Sequence, residues 1–243
     1  MYEFDGDRRK YDALMDYVAF RELNEFVGNN AALQTHANSY EIVGDVEGFS
    51  PIQIEQLRVG RINTLKETLS HFGSQTIVSL CTTFEVSARE YLRALFIIKP
   101  QSMFEFLGAE DSRGHVPLKE ILQAASHNEL IGRLAHTAAG TASKGKYGQV
   151  FLRALTCSGF SCDKDLIEKL NALQVERNKL VHERHRPNVG MEEVLQAHLV
   201  VDEAIESFCR SGVDAGVHGR FTCVNPEMRL IVKNIAINAR HPD

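Results

Sequence analysis

The chain of 243 residues contains no tryptophan and only six prolines. No apolar run approaches the ~20 residues that a helix needs to span a bilayer. The longest candidate, residues 91–98, is interrupted by Arg93. The N-terminus carries acidic residues, whereas a secretory leader begins with basic residues followed by an apolar stretch. The sequence therefore predicts a cytoplasmic protein without a membrane segment.

The five cysteines are an odd number and show no metal-binding pattern. Cys157 and Cys162 are too far apart for the two-residue spacing of a zinc knuckle, and no second pair follows them. We therefore expect buried free thiols, and neither a metal nor a cofactor.

The formal net charge of −5 argues against a protein that coats nucleic acid along its length, because such binding comes from neutralising phosphates. Positive charge is nevertheless concentrated in residues 177–186, where Glu183 is the acidic exception. The basic side chains of this stretch are Arg177, Lys179, His182, Arg184, His185 and Arg186. The overall charge is thus compatible with one local site that engages RNA.

Apolar residues at helical spacing predict a helix over residues 12–34, followed by an extended segment over residues 40–46. A second helix is predicted to begin at Ser50, because Ser50 and Gln53 have capping-box spacing and a proline lies between them. This second helix is expected to end at Gly73.

Further apolar periodicity predicts helices over residues 74–98, 116–136, 150–155, 163–183 and 191–209. A small, polar, Gly-rich link over residues 138–148 joins two of them, and Gly212 is expected to end the last one. The tail, residues 220–237, has the β-branched residues and central turn of a hairpin.

The predicted fold class is therefore mainly α. The helices from residue 50 onward form one bundle, and the extended N-terminal segment pairs with the C-terminal hairpin as a small sheet. This organisation divides the chain into residues 1–49, 50–212 and 213–243.

The end of the helix over residues 163–183 has an unusual arrangement. At about 100° per residue, a set of apolar residues lies within about 60° of Arg177. They are Leu166, Leu170, Leu173, Leu180 and Val181. Arg177 therefore lies in the middle of the apolar stripe, while Asn178 and His182, four residues apart, share its edge.

Two structural explanations of these residues remain open. An arginine on an apolar stripe is costly unless it is paired, so Arg177 could form a buried ion pair that fixes helix packing, with Glu85 as its natural partner. His182 could be a surface or capping histidine favoured by the helix dipole. The clustering of Arg177, Asn178 and His182 at one helix end favours a functional site instead.

The stretch from Arg177 to His182 resembles the R-x4-H motif of HEPN domains, with a polar residue directly after the arginine. The upstream segment 83–92, which contains Glu85, resembles the early HEPN helix that often carries an acidic residue. The resemblance covers residues 50–212 and leaves the two terminal segments unexplained. It implies a helical, dimeric, metal-independent endoribonuclease in which two motifs face each other across the dimer.

Many HEPN proteins are toxins of toxin–antitoxin or phage-defence systems, so a cognate antitoxin or regulatory protein is an implied partner. Others have lost catalysis and serve as dimerisation or RNA-binding modules, which is the alternative function. The products of a catalytic member would be a 2′,3′-cyclic phosphate and a 5′-hydroxyl.

The residue chemistry agrees with the catalytic version. His182 is suited to proton transfer because the unperturbed pKa of histidine is ~6.5. Arg177 would stabilise the additional negative charge on phosphorus, and Asn178 would orient His182 or bind the phosphate. Glu85 is expected to position Arg177. The basic residues Lys179, Arg184, His185 and Arg186 are expected to bind RNA.

Residues 140–147 nearly match a phosphate-binding P-loop, but Tyr147 replaces the small hydroxyl residue that ligates magnesium. The preceding segment is predicted to be a helix instead of a buried strand. A flexible link is therefore favoured over a nucleotide-binding regulator, although Lys144 and Lys146 could still contact RNA phosphates.

Overall fold

The computed structural model describes residues 3–39, 48–108, 115–116, 118–182 and 188–222. Its α-helices are α1 Gly6–Gly28, α2 Asn30–Ser39, α3 Pro51–Ile98, α4 Leu118–Gln123, α5 His127–Ala142, α6 Tyr147–Ser158, α7 Lys164–His182 and α8 Met191–Ala215. A 3-10 helix spans Pro100–Phe106, and two short strands are β1 Phe4–Asp5 and β2 Gly219–Arg220. The prediction of a mainly helical protein is confirmed.

Helix α3 begins where the capping pattern predicts. The Ser50 hydroxyl accepts a hydrogen bond from the Gln53 amide at 3.4 Å, and the Ser50 amide donates to the Gln53 side chain at 2.8 Å. These reciprocal bonds satisfy amide groups that the first turn of a helix leaves without partners.

The predicted stop at Gly73 is wrong, because α3 continues through it to form one helix of 48 residues. Gly73 is buried where α1 and the segment before α8 approach α3 closely. A Cβ atom at this position would lie 3.0 Å from side-chain atoms of both Phe20 and Val189. The glycine therefore permits close packing and does not terminate the helix.

The single helix predicted over residues 116–136 is also wrong. The structure has the short α4 and then α5, which begins after Ser126. The Ser126 hydroxyl accepts from the Glu129 amide at 3.1 Å, and the Glu129 carboxylate accepts from the Ala125 amide at 2.8 Å. Because α5 continues to Ala142, the first part of the predicted link at residues 138–148 is helical.

The core is centred on α3 and α8, and α1 packs against both. The Phe208 ring of α8 lies 5.0 Å from the Tyr91 ring, 5.5 Å from Phe151 and 6.2 Å from Phe84, measured between centroids. The N-terminal helix α1 therefore shares the core of the bundle, while the predicted division of the chain into three segments stays a prediction.

The two strands pair in parallel, with Phe4 opposite Gly219 and Asp5 opposite Arg220. A small sheet thus pairs the residues before α1 with those after α8, and the predicted pairing of the 40–46 segment stays a prediction. Residues 40–47 and 223–243, which include most of the predicted hairpin, lie outside the described residues.

Helix α8 extends beyond the predicted stop at Gly212 to Ala215 and is capped by Gly216, whose φ of 73° suits glycine. Gly212 is buried, and a Cβ atom there would lie 3.2 Å from the Phe221 ring. Over the described ranges, no helix is long and apolar enough to cross a membrane.

Candidate functional site

The apolar stripe of α7 leaves the core as the helix approaches its end. Three leucines of the first half are buried: Leu166, Leu170 and Leu173. Leu180 is only partly buried, and Val181 is 47% exposed. Arg177 is half-buried between these two parts of the helix, so its backbone is fixed by the core while its side chain reaches the surface.

The Arg177 side chain donates from Nη1 to the Asn178 side-chain oxygen at 3.3 Å. The expected ion pair with Glu85 is not formed: within the part of the chain that the structure describes, Arg177 pairs with no carboxylate. Glu85 instead accepts a hydrogen bond from the Tyr147 hydroxyl at 2.5 Å. The two residues that the sequence placed together therefore have different partners.

Arg177 nevertheless lies close to the cluster formed by Cys81, Glu85 and Tyr147, which we call the Tyr147 cluster. Burial raises the pKa of Cys81 to about 12, and a hydrogen bond with Tyr147 and the charge of Arg177 act in the opposite direction. Burial likewise raises the pKa of Tyr147, helped by Cys81 and Glu85 and opposed by Arg177. Cys81 and Tyr147 are therefore neutral at physiological pH, and the positive charge of the Arg177 guanidinium acts on both side chains.

Side chains of α7 hold the start of α6 in place. The Tyr147 amide donates to the Gln174 side chain at 2.9 Å, and the Gly148 amide donates to the Asn171 side chain at 3.1 Å. Gln174 also donates to the carbonyl of Gly145 at 3.2 Å. The loop before α6 is thus bonded to the helix that carries Arg177, three residues after Gln174.

These bonds also account for the near P-loop. The amides of Tyr147 and Gly148, which a phosphate loop would direct at its ligand, donate to α7 instead. Arg153 donates to the carbonyls of Ala142 and Lys144, so the turn between α5 and α6 is bonded to α6 as well. The segment acts as a helix-docking turn.

Asn178 and His182 lie on the exposed side of α7, one helical turn apart, and His182 is the last residue of the helix. Val175, which is 55% exposed, precedes them on the same face. Lys179 is exposed, and its Nζ lies 3.8 Å from a Glu176 carboxylate oxygen. The other basic residues predicted to bind RNA, Arg184, His185 and Arg186, lie outside the described residues.

The structure thus brings Arg177 next to Asn178 and leaves His182 open to solvent beside them. It also adds two residues that the sequence did not identify as part of the site, Tyr147 and Gln174. In the sequence, Tyr147 is distinguished only as the mismatch in the near P-loop, and Gln174 is one of many polar residues on α7. No local signal distinguishes them.

Among the described residues, no group of three or more histidine, cysteine, aspartate or glutamate side chains could hold a metal ion. Comparisons with protein-family models, with curated proteins and with solved structures find no match to this chain.

Proposed function

We propose that the protein is a HEPN-type, metal-independent endoribonuclease that acts in the cytoplasm as a homodimer, in the role of a toxin or phage-defence effector. The observation that carries this proposal is the state of Arg177. It is half-buried and has no carboxylate partner among the described residues. An arginine held in this way has guanidinium donors left for a phosphate.

The side chains beside Arg177 supply the remaining chemistry. His182 accepts the proton of the RNA 2′-hydroxyl, whose oxygen then forms a bond to phosphorus. Arg177 stabilises the extra negative charge as the bond between phosphorus and the 5′-oxygen breaks. A proton from His182 of the partner subunit completes the leaving 5′-hydroxyl, and the other product is a 2′,3′-cyclic phosphate.

A second copy of the chain is part of the proposal for two reasons. The reaction needs one group that accepts a proton and one that donates a proton. Each chain contributes one of these groups, His182, on this face of α7. The side chains of Val175, just before the motif, and Val181, inside it, are both exposed. A partner that covers them would gain apolar contact area next to the site.

The proposal is tested with purified protein and total RNA in the presence of EDTA. Wild type should produce fragments with 2′,3′-cyclic phosphate and 5′-hydroxyl ends. His182→Ala and Arg177→Ala should each reduce cleavage by about 10²-fold or more, the range typical of lost acid–base or electrostatic catalysis. His136→Ala, which changes an exposed histidine of α5, is the matched control and should retain full activity.

Equal cleavage by wild type and both motif variants would contradict the assignment. The net charge of −5 favours one alternative, a non-catalytic dimerisation or RNA-binding adaptor of the same type. That alternative predicts a stable dimer in sedimentation experiments, no cleavage by wild type, and no functional cost of changing His182.

A further inference from the structure

Glu85 belongs to the Tyr147 cluster and Arg177 carries the opposite charge beside it, yet the two do not pair. We propose that Tyr147 is a positioning residue: its hydroxyl holds the Glu85 carboxylate and thereby keeps the Arg177 guanidinium free for an RNA phosphate. The role assigned to the phosphate rests on the proposed ribonuclease function. The competition between Tyr147 and Arg177 for Glu85 rests on the hydrogen bond from Tyr147 to Glu85 and on the bond from the Tyr147 amide to Gln174, about one helical turn before Arg177.

The Tyr147 hydroxyl is rigidly placed. The residue is only 4% exposed, and its ring packs against Phe84 with 5.0 Å between centroids. Its amide is bonded to Gln174 of α7, and its hydroxyl reaches Glu85 of α3. Because α3 holds its ring and α7 holds its backbone amide, Tyr147 can hold the carboxylate without the loss of side-chain freedom that a flexible donor would incur.

The bond from Tyr147 to Glu85 has the geometry of a charge-assisted hydrogen bond, a type that can compete with an ion pair. Its 2.5 Å length lies in the range of charge-assisted bonds from a hydroxyl to a carboxylate. A carboxylate released from Tyr147 would attract the half-buried guanidinium of Arg177, since arginine and carboxylate can form two parallel hydrogen bonds. The charge of Arg177 does reach the cluster, because it opposes the effect of burial on the pKa of Tyr147.

Removing the hydroxyl would change the partner of Glu85. A partly buried carboxylate that loses its donor bears a desolvation penalty until it finds another. Among the described residues, Arg177 is a cation whose charge acts on this cluster, and it can replace the donor by turning from the surface toward α3. Its guanidinium would then be neutralised by Glu85 and would no longer be available to phosphate.

The first test compares RNA cleavage by wild type, Tyr147→Phe and the double variant Tyr147→Phe/Glu85→Gln. The phenylalanine keeps the packing of the ring but releases the carboxylate, so kcat/KM should fall by roughly tenfold or more. The glutamine removes the competing charge, so the double variant should recover to within about threefold of wild type. A purely structural role for Tyr147 predicts no such rescue.

Tyr11→Phe/Glu67→Gln is the matched control, because both residues are exposed and neither belongs to the cluster; it should behave as wild type. If Tyr147→Phe does not fold alone, it is examined in the Glu85→Gln background. There it should cost less than about twofold, since no carboxylate remains to be held. A large loss of cleavage in that background, or failure of Glu85→Gln to restore Tyr147→Phe, would overturn the inference.

A second readout does not depend on cleavage. Phenylglyoxal modifies accessible guanidinium groups, and peptide mass spectrometry gives the rate at Arg177 in the absence of RNA. The rate should fall several-fold in Tyr147→Phe and return in the double variant. If wild type cuts no RNA but this pattern holds, the ribonuclease proposal fails and the competition for Glu85 stands. If wild type cuts RNA through His182 but the Arg177 rate is the same in all variants, the inference fails alone.

Discussion

Substitution of Gly148 by alanine is expected to destabilise the protein through the contact between α6 and α7. A Cβ atom there would lie 2.7 Å from both Asn171 Nδ2 and Ile167 Cγ2, and 2.8 Å from the Ile167 carbonyl oxygen. The side-chain atoms could rotate away, but the carbonyl belongs to the backbone of α7. The two helices would therefore have to separate by roughly half an ångström, with the strain typical of an overpacked contact.

The magnitude follows from two effects. Overpacking of a tight contact typically costs about 1–3 kcal/mol. Separation of the helices also weakens the hydrogen bond from the Gly148 amide to Asn171, which adds about 1 kcal/mol. A total of about 2–4 kcal/mol corresponds to a Tm lower by roughly 4–16 °C in a chain of this size.

The assay is a thermal melt followed by circular dichroism, at one fixed protein concentration because dimerisation would affect Tm. Gly132→Ala is the matched control: it lies inside α5, and a Cβ atom there would meet nothing within 4 Å. It should raise Tm slightly, since alanine in a helix interior is favoured over glycine by about 0.5–1 kcal/mol. A Gly148→Ala protein as stable as wild type would refute the packing described between α6 and α7.

Two further predictions concern α1 and its contacts. His198 is buried, and its ring stacks on Tyr17 with 4.8 Å between centroids. Burial lowers the pKa of His198, partly offset by the charge of Asp202, so the unfolded chain binds a proton more readily than the folded one. The stability of the fold should therefore be full above pH ~6.5 and decrease as the pH falls below that value. Thermal melts should show a smaller decrease from pH 7.5 to 5.5 in His198→Phe than in wild type, and equal decreases would contradict this assignment. Arg9 donates two hydrogen bonds to Glu90, at 2.8 and 2.6 Å, so Glu90→Gln should cost about 1–3 kcal/mol in urea denaturation. A double-mutant cycle with Arg9→Met should be non-additive, and strict additivity would show that the pair contributes nothing.

The parts of the fold that could be predicted from sequence are those governed by neighbouring residues. The start of α3 depends on Ser50 and Gln53, which lie three positions apart and bond to each other. Ser126 and Glu129 have the same type of spacing and cap α5, so the boundary between α4 and α5 could have been found by the same rule. Such contacts depend little on the rest of the fold.

The two glycines that were expected to end helices show the limit of this approach. Gly73 lies within α3 opposite Phe20, and Gly212 lies within α8 opposite Phe221. A glycine in a helical pattern either ends the helix or allows another element to approach closely. The choice is made by residues distant in the chain, so periodicity along one helix cannot decide it.

The same distinction applies within the candidate site. The placement of Arg177 on the stripe of α7 follows from helical spacing, and its half-buried position agrees with it. The partner of Glu85 does not follow from helical spacing, because Tyr147 lies 62 residues away and must be brought to α3 by the docking of α6 on α7. Charge alone favoured Arg177 as that partner, whereas the fold supplies a neutral donor whose position is already fixed. The tyrosine that departs from the P-loop pattern is thus the residue that binds Glu85, and only tertiary contacts show this role.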